Sequence, residues 1–313
     1  MHVIELNHLY QLPLDLASSP GLVLAIGDFD GVHQGHREVI RRATTRAEER
    51  KLSSAVMTFH PHPREILGMD KYRQILTPLP DKLELLDRLG LTYTFLVNFD
   101  KAFSELPPAE FVEKILVKLN LETVVVGFDF KFGRGGEGNP DSLANLAKGR
   151  FAVEVIRPFH ADGQKVSSTL IREYLLAGDV GEANLLLDRP YTICGEVVTG
   201  AGRGRTIGFP TANVQPTQPY VIPANGVYAV RVQTDDGEFG GVMNIGVKPT
   251  FDVDEGRTLE VHLLDYSGSL YGQKVRVEFH SMLRPERKFA SVDELVSQIA
   301  RDAEEAKSRL AMI

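Results

Sequence analysis

The chain holds a single cysteine, Cys194, in 313 residues. An internal disulfide framework is excluded, and a reducing compartment is expected. No apolar run approaches the roughly 18 residues of a membrane span. The first residues, MHVIELNHLYQLPLD, lack the basic stretch followed by an apolar one that marks export. A cytoplasmic protein without a membrane partner is the expectation. Positive charge is also short: 35 Lys and Arg against 42 Asp and Glu leave a net charge of −7. That balance argues against a face that tracks nucleic-acid phosphates, while a local nest of donors for a small anion stays open. His60 and His62 in FHPHP have no cysteine or carboxylate nearby to complete a metal set. Prolines at 61 and 63 instead suggest a stiff loop.

What is present divides into two textures, and the length is enough for two domains. In the first, the apolar runs LVLAI (22–26), SAVMTF (54–59), YTFLVNF (93–99), TVVVGF (123–128) and FAVEVI (151–156) alternate with helical patterns near 36–51, 80–89, 107–119 and 141–148. Nearly continuous apolar strands between helices predict a parallel sheet covered on both faces. Ligands bind beyond the C-terminal strand ends of such sheets. GDFDGVHQGH, FHPHP, NFD and GFDFKFGRGG all follow strands and are expected on one edge. From Pro190 to about Leu283 the period becomes two, with Gly, Pro, Asp and Asn between short runs, as in a small antiparallel barrel. A final amphipathic helix opens at SVDE, with Glu294 three positions after a Ser N-cap. The seam is expected in LLAGDVGEANLLLDRP, giving domains 1–186 and 187–313. A monomer or weak homo-oligomer is the expected state.

The turn AIGDFDGVHQGH (25–36) joins a strand to a helix through three glycines and two histidines. Backbone N–H groups and the helix N-terminus there can face an anion, and His33 and His36 add donors that can carry a proton. This suits stabilising negative charge on a phosphate during displacement. One surface histidine and one helix-capping histidine would give the same pattern. The basic run 37–51 reads as the solvated face of the following helix.

GDFDGVHQGH resembles the H-x-G-H signature of the nucleotidylyltransferase superfamily, and VSSTLIREYL (166–175) resembles its I-S-S-T-x-x-R. With TFHPHPREIL, VVVGFDFKFG and a later GRTIGFPTANV, the whole chain resembles the bacterial bifunctional riboflavin kinase/FAD synthetase family. The resemblance implies a Rossmann-like α/β nucleotidylyltransferase domain followed by a riboflavin kinase barrel. It implies that riboflavin is phosphorylated to FMN and FMN adenylylated to FAD, with ATP as co-substrate and Mg²⁺ as cofactor. In the first domain it assigns Gly27, Phe29, Asp30, Gly31, His33 and His36 to the nucleotide, together with Ser167, Ser168, Thr169 and Arg172, the last on the departing pyrophosphate. Phe59, Pro61, Pro63, Asp129 and Phe130 would line the flavin pocket. The family usually has an arginine where this chain has Gly136, leaving Arg134 as the nearest cation.

VTGAGRGRTIGFPTAN (198–213) has four glycines but no G-K-[ST], so it is not a Walker-type loop. From the glycines alone a barrel hairpin is the simpler account. The resemblance makes it an ATP flap through Gly200, Gly202, Gly208 and Pro210, with Thr211 and Asn213 as the metal-binding oxygens. In TLEVHLLDY, alternation puts Glu260 and His262 on one strand face, which a solvated face explains equally well. The resemblance makes Glu260 the kinase base. It assigns Asn244, Arg284 and Arg287 to the flavin and nucleotide sites, where the arginines could equally form surface pairs.

Overall fold

The computed structural model describes residues 1–6, 21–200, 204, 207–247 and 257–312. The chain divides into two compact units, Met1–Ser168 and Thr169–Ile313.

The first unit is a six-stranded, all-parallel sheet in the order β1-β4-β3-β2-β5-β6. The strands are β1 (His2–Leu6), β2 (Leu22–Ile26), β3 (Ser53–His60), β4 (Tyr93–Asn98), β5 (Leu121–Gly127) and β6 (Ala152–Ile156). The five apolar runs are strands, and β2 is buried along its whole length. Leu22, Leu24 and Ile26 join one core; Val23 and Ala25 join the other. That two-sided burial is why the run shows no alternation. The second core is filled by Val39, Ile40, Ala43 and Ala47 of helix α1 (Gln34–Arg50). Three short helices follow: α2 (Pro63–Ile66), α3 (Leu79–Asp87) and α4 (Lys101–Ser104). α5 (Pro108–Lys114) is shorter than the predicted 107–119, because the backbone leaves helical geometry at Ile115 (φ −116°) and continues as a 3₁₀ turn. α6 (Pro140–Ala147) is closed by an Asn139–Ser142 capping box. A two-stranded ribbon, β7 (His160–Ala161) and β8 (Gln164–Lys165), completes the unit. Strand β1 was not anticipated: it is an edge strand, exposed or half-buried along most of HVIEL.

The second unit is a closed antiparallel barrel in the order β10-β13-β12-β11-β14-β9. Its strands are β9 (Tyr191–Val198), β10 (Ala212–Pro216), β11 (Gly226–Thr234), β12 (Gly237–Val247), β13 (Arg257–Leu263) and β14 (Lys274–Pro285). Helices α7 (Ser168–Ala177) and α8 (Val180–Leu187) precede it. The second unit takes in α7 from Thr169 and all of α8, whereas the division expected at 186/187 falls before the last residue of α8. The Asn184 side chain explains the packing of α8: it donates to Phe279 O at 2.8 Å and accepts from Tyr191 N at 2.7 Å, on strands β14 and β9.

The final helix, α9 (Val292–Ala311), starts at Ser291, whose hydroxyl accepts from Glu294 N at 3.2 Å. Ala303, Ala306 and Leu310 cover Val227, Ala229 and Val242 on the outside of the barrel. Asp302, 2 % exposed, accepts three hydrogen bonds of 2.9 to 3.1 Å from Arg284 on β14 and one of 2.7 Å from Gln298. Removing one partner of such a pair strands the other charge. Asp302→Ala should therefore destabilise the barrel by about 3 kcal/mol in chemical denaturation. Asp302→Leu combined with Arg284→Met should lose much less.

Two candidate active sites

Because β4, β3, β2 and β5 are neighbours and parallel, the segments after them come out on one edge of the first unit. The turn after β2 is shaped by left-handed backbone at Phe29 (φ 52°), Gly31 (φ 95°) and Val32 (φ 42°). A Cβ at Gly27 would stand 3.0 Å from the Phe29 ring, so the backbone and that ring pack tightly here. His33 then caps α1, its Nδ1 accepting from His36 N at 3.2 Å. The two imidazoles stack at 3.6 Å between centroids, and His36 meets the Phe29 ring edge-on at 5.4 Å. His33 is thus both the helix cap and a member of a paired-ring surface. No carboxylate occupies the first turn of α1, which leaves its positive end uncompensated by the helix itself.

Asp30 is 3 % exposed, and its Oδ1 accepts from Leu76 N and Thr77 N at 2.9 and 3.0 Å. Its carboxylate therefore ties the segment before α3 to the turn. Ser168 Oγ donates to Asp30 O at 2.8 Å, which joins the second sequence signature to the first. Lys82 of α3 reaches the same turn, donating to Asp28 O at 2.9 Å and Thr58 Oγ1 at 3.3 Å. No motif pointed to Lys82. The available signal was its register: it is buried one turn before Leu86, on the apolar side of its helix.

The expected flavin-pocket residues follow the neighbouring strands. Phe59, next to the end of β3, sets its ring edge-on to Phe99 at 5.8 Å. The His60–Pro61 bond is cis, and Pro63 is the first residue of α2. His62 caps that helix, accepting from Arg64 N at 3.1 Å, and stacks on Tyr72. Asp129 pairs with Lys165 at 3.1 Å, and Phe130 stacks on Phe132. Gly136 has φ 70°, where an arginine would be strained, and Arg134 pairs with Glu137. Thr169 and Arg172 belong to the second unit, where Arg172 is 7 % exposed on α7. Ser167 immediately precedes that helix.

In the barrel, Leu259, Val261 and Leu263 of β13 are buried, which leaves Thr258, Glu260 and His262 on the other face. Register places Glu260 directly opposite Asn213 of β10 and, across its other edge, opposite Asn244 of β12. The three side chains therefore form one row over adjacent strands. His262 Nδ1 lies 2.8 Å from Pro210 O, and Phe209 packs edge-on to its ring at 5.4 Å. Gly200 and Gly204 pass so close to this segment that neither tolerates a side chain. A Cβ on Gly200 would run into the Asn213 amide, and one on Gly204 would come within 3.1 Å of Thr211 Oγ1. Thr211 and Asn213 thus offer two hard oxygens, two residues apart, beside Gly200 and Gly204, a set that suits Mg²⁺ with phosphate. Gly208 has φ 87°, and Gly202 lies outside the described residues. A cavity of about 470 Å³ opens beside Thr211, lined also by Val197, Leu263, Tyr266 and Leu270. The loop 266–271 was not singled out in the sequence, since it carries no charge or motif. Arg284 is engaged by Asp302, and Arg287 donates to Gln298 at 2.8 Å. Both arginines are bound to α9.

Two family models match the chain: FAD synthetase over residues 15–170 and riboflavin kinase over residues 187–310. The bifunctional riboflavin kinase/FMN adenylyltransferase of Bacillus subtilis (strain 168) is 40 % identical over 309 residues, covering 98 % of this chain and 97 % of that one. The protein of the same name from Escherichia coli (strain K12) is 42 % identical over 293 residues, covering 92 % and 93 %. The chain belongs to the bifunctional riboflavin kinase/FMN adenylyltransferase family. Among solved structures, a crystal structure described as a macrolide-efflux protein from Streptococcus pneumoniae superimposes with a TM-score of 0.89 at 32 % identity, covering 98 % of this chain and 99 % of that one. No helix among the described residues of this family member is long and apolar enough to cross a membrane.

The Asp30 brace makes a direct structural prediction. In Asp30→Ala the Leu76 and Thr77 amides lose that acceptor, so both should exchange with deuterium markedly faster. Global stability should fall by about 1–3 kcal/mol, the usual cost of leaving buried donors unpaired.

Proposed function

We propose that the chain is a two-site enzyme that phosphorylates riboflavin to FMN with ATP and then adenylylates FMN to FAD, releasing pyrophosphate. The observation that carries the reading is the register of β13, which sets Glu260 opposite Asn213, against which Gly200 packs. In the kinase reaction the Glu260 carboxylate takes the proton of the riboflavin primary hydroxyl as that oxygen bonds to the γ-phosphorus and ADP leaves. Thr211 and Asn213 would hold Mg²⁺, which when bound would supply neutralising charge to the phosphates. Asn244, beside Glu260, orients the flavin. Arg284 at the end of β14 and Arg287 just after it are assigned to the flavin and nucleotide site, each held in place by a residue of α9.

In the adenylyl reaction an FMN phosphate oxygen attacks the α-phosphorus of ATP, and no proton has to be removed at neutral pH. The catalytic demand is therefore positioning and charge stabilisation. His33, His36, the turn Gly27–Gly31 and the hydroxyls of Ser167, Ser168 and Thr169 supply donors. Arg172 clamps the departing pyrophosphate as a two-pronged partner. Asp30 contributes by shaping the turn. Phe59, Pro61, Pro63, Asp129 and Phe130 frame the flavin. The functional halves are residues 1–186 and 187–313, and the enzyme acts in the cytoplasm as a monomer or weak homo-oligomer.

A second reading keeps only the kinase, and the observation that favours it is Gly136, where the family usually has an arginine and the left-handed backbone disfavours one. Replacing both His33 and His36 by Ala should abolish FAD formation from FMN and leave riboflavin phosphorylation nearly intact. Equal loss of both activities in folded protein would contradict the two-site reading. Glu260→Gln keeps hydrogen-bonding reach but takes no proton. It should lower phosphorylation by about 10²–10⁴-fold with Mg·ATP affinity little changed. Normal FMN formation with weakened Mg·ATP binding would make Glu260 a metal ligand instead.

A further inference from the structure

Lys82 is a charged group that the chemistry above does not use. It is 6 % exposed, yet it is directed at the nucleotide turn. Its Nζ donates to Asp28 O at 2.9 Å and to Thr58 Oγ1 at 3.3 Å, and the Thr58 hydroxyl donates to the same Asp28 carbonyl at 3.0 Å. That carbonyl immediately precedes Phe29, the first left-handed residue of the turn. The other end of the same segment is held by Asp30 through Leu76 N and Thr77 N. Segment and turn are thus tied at two points, one of them a buried cation.

A methionine would fill this position without the cost of desolvating a charge, and a neutral hydroxyl already bonds the carbonyl. A buried ammonium here makes sense where negative charge arrives on the far side of the turn. The ionisable groups facing it are Asp28 and Asp30 on the turn and His60 at the end of β3, with Glu65 beyond His60. Burial holds the ammonium below its ordinary pKa of 10.5, against the two carboxylates, which act in the opposite sense. His60 is likewise held below its usual range, first by burial and then by Lys82.

We propose that Lys82 is a positioning residue for adenylyl transfer: it fixes the Asp28 carbonyl, and with it the turn that aims His33 and His36, and it keeps a positive charge behind that turn. The proposal rests on the adenylyltransferase reading of the first unit. Lys82 touches neither ATP nor flavin in this role. It acts through the turn.

The test uses the full chain carrying Lys82→Met or Lys82→Arg, with riboflavin phosphorylation by the same molecules as the control for folding. In Lys82→Met, kcat for FMN adenylylation should fall about 10²-fold, the effect of a small misplacement of reacting groups, while KM for ATP stays close to wild type. Wild-type adenylylation should decline as pH rises through the depressed pKa of Lys82, because the cation is lost there. Lys82→Arg stays charged over that range and should keep its rate. His60, followed by NMR, should titrate at higher pH in Lys82→Met, since a repelling charge has gone. Unchanged adenylylation kcat in Lys82→Met, an alkaline limb identical in Lys82→Arg, or an unmoved His60 would each overturn the proposal. If Lys82→Met does not fold, the pH profile of Lys82→Arg decides. Wild-type protein that makes no FAD would overturn the adenylyltransferase reading and this proposal with it.

Discussion

The first unit depends on holding a backbone turn that is unfavourable in isolation. Phe29 and Val32 are not glycines, yet both have left-handed φ, and Val32 is β-branched. Each such residue costs on the order of 1–3 kcal/mol and persists only when its surroundings over-determine it. Here the surroundings are the Asp30 carboxylate on two backbone amides, the Ser168 hydroxyl on Asp30 O, and the Thr58–Lys82 pair on Asp28 O. What the strain secures is the stacked pair of imidazoles at the start of α1. In the second unit the constraint is of a different kind. Burial of Leu259, Val261 and Leu263 leaves one face of β13 for Glu260, and the strand order then fixes its two neighbours.

Much of this was legible in the residues. Strands buried on both faces must be apolar throughout, so the sheet could be read from runs such as LVLAI and TVVVGF. The barrel was visible because its strands alternate, and the last helix because Ser291 and Glu294 form a local cap. The histidine turn was legible for the same reason: its parts are adjacent in sequence.

Interactions between distant residues were not legible. Asp30 sits in the turn after β2, and the amides it accepts from lie at 76 and 77, where nothing near it in sequence marks them. Lys82 looks like any helix lysine until the helix is placed against the turn. Strand β1 hides because an edge strand needs few apolar residues, and the break at Ile115 hides because apolar spacing continues through it. Arg284 and Arg287 illustrate the reverse case. The arginines of LRPERKF are conspicuous in the sequence, while the α9 residues that hold them, Asp302 and Gln298, carry no local mark.

If one chain carries two consecutive reactions, the product of the barrel site is the substrate of the histidine turn. The most direct measurement is a time course of wild-type protein with riboflavin, ATP and Mg²⁺, separating riboflavin, FMN and FAD. FMN should appear first and then be drawn down as FAD and pyrophosphate accumulate. FMN that rises to a plateau with no FAD, or riboflavin that binds and is never converted, would contradict that sequence.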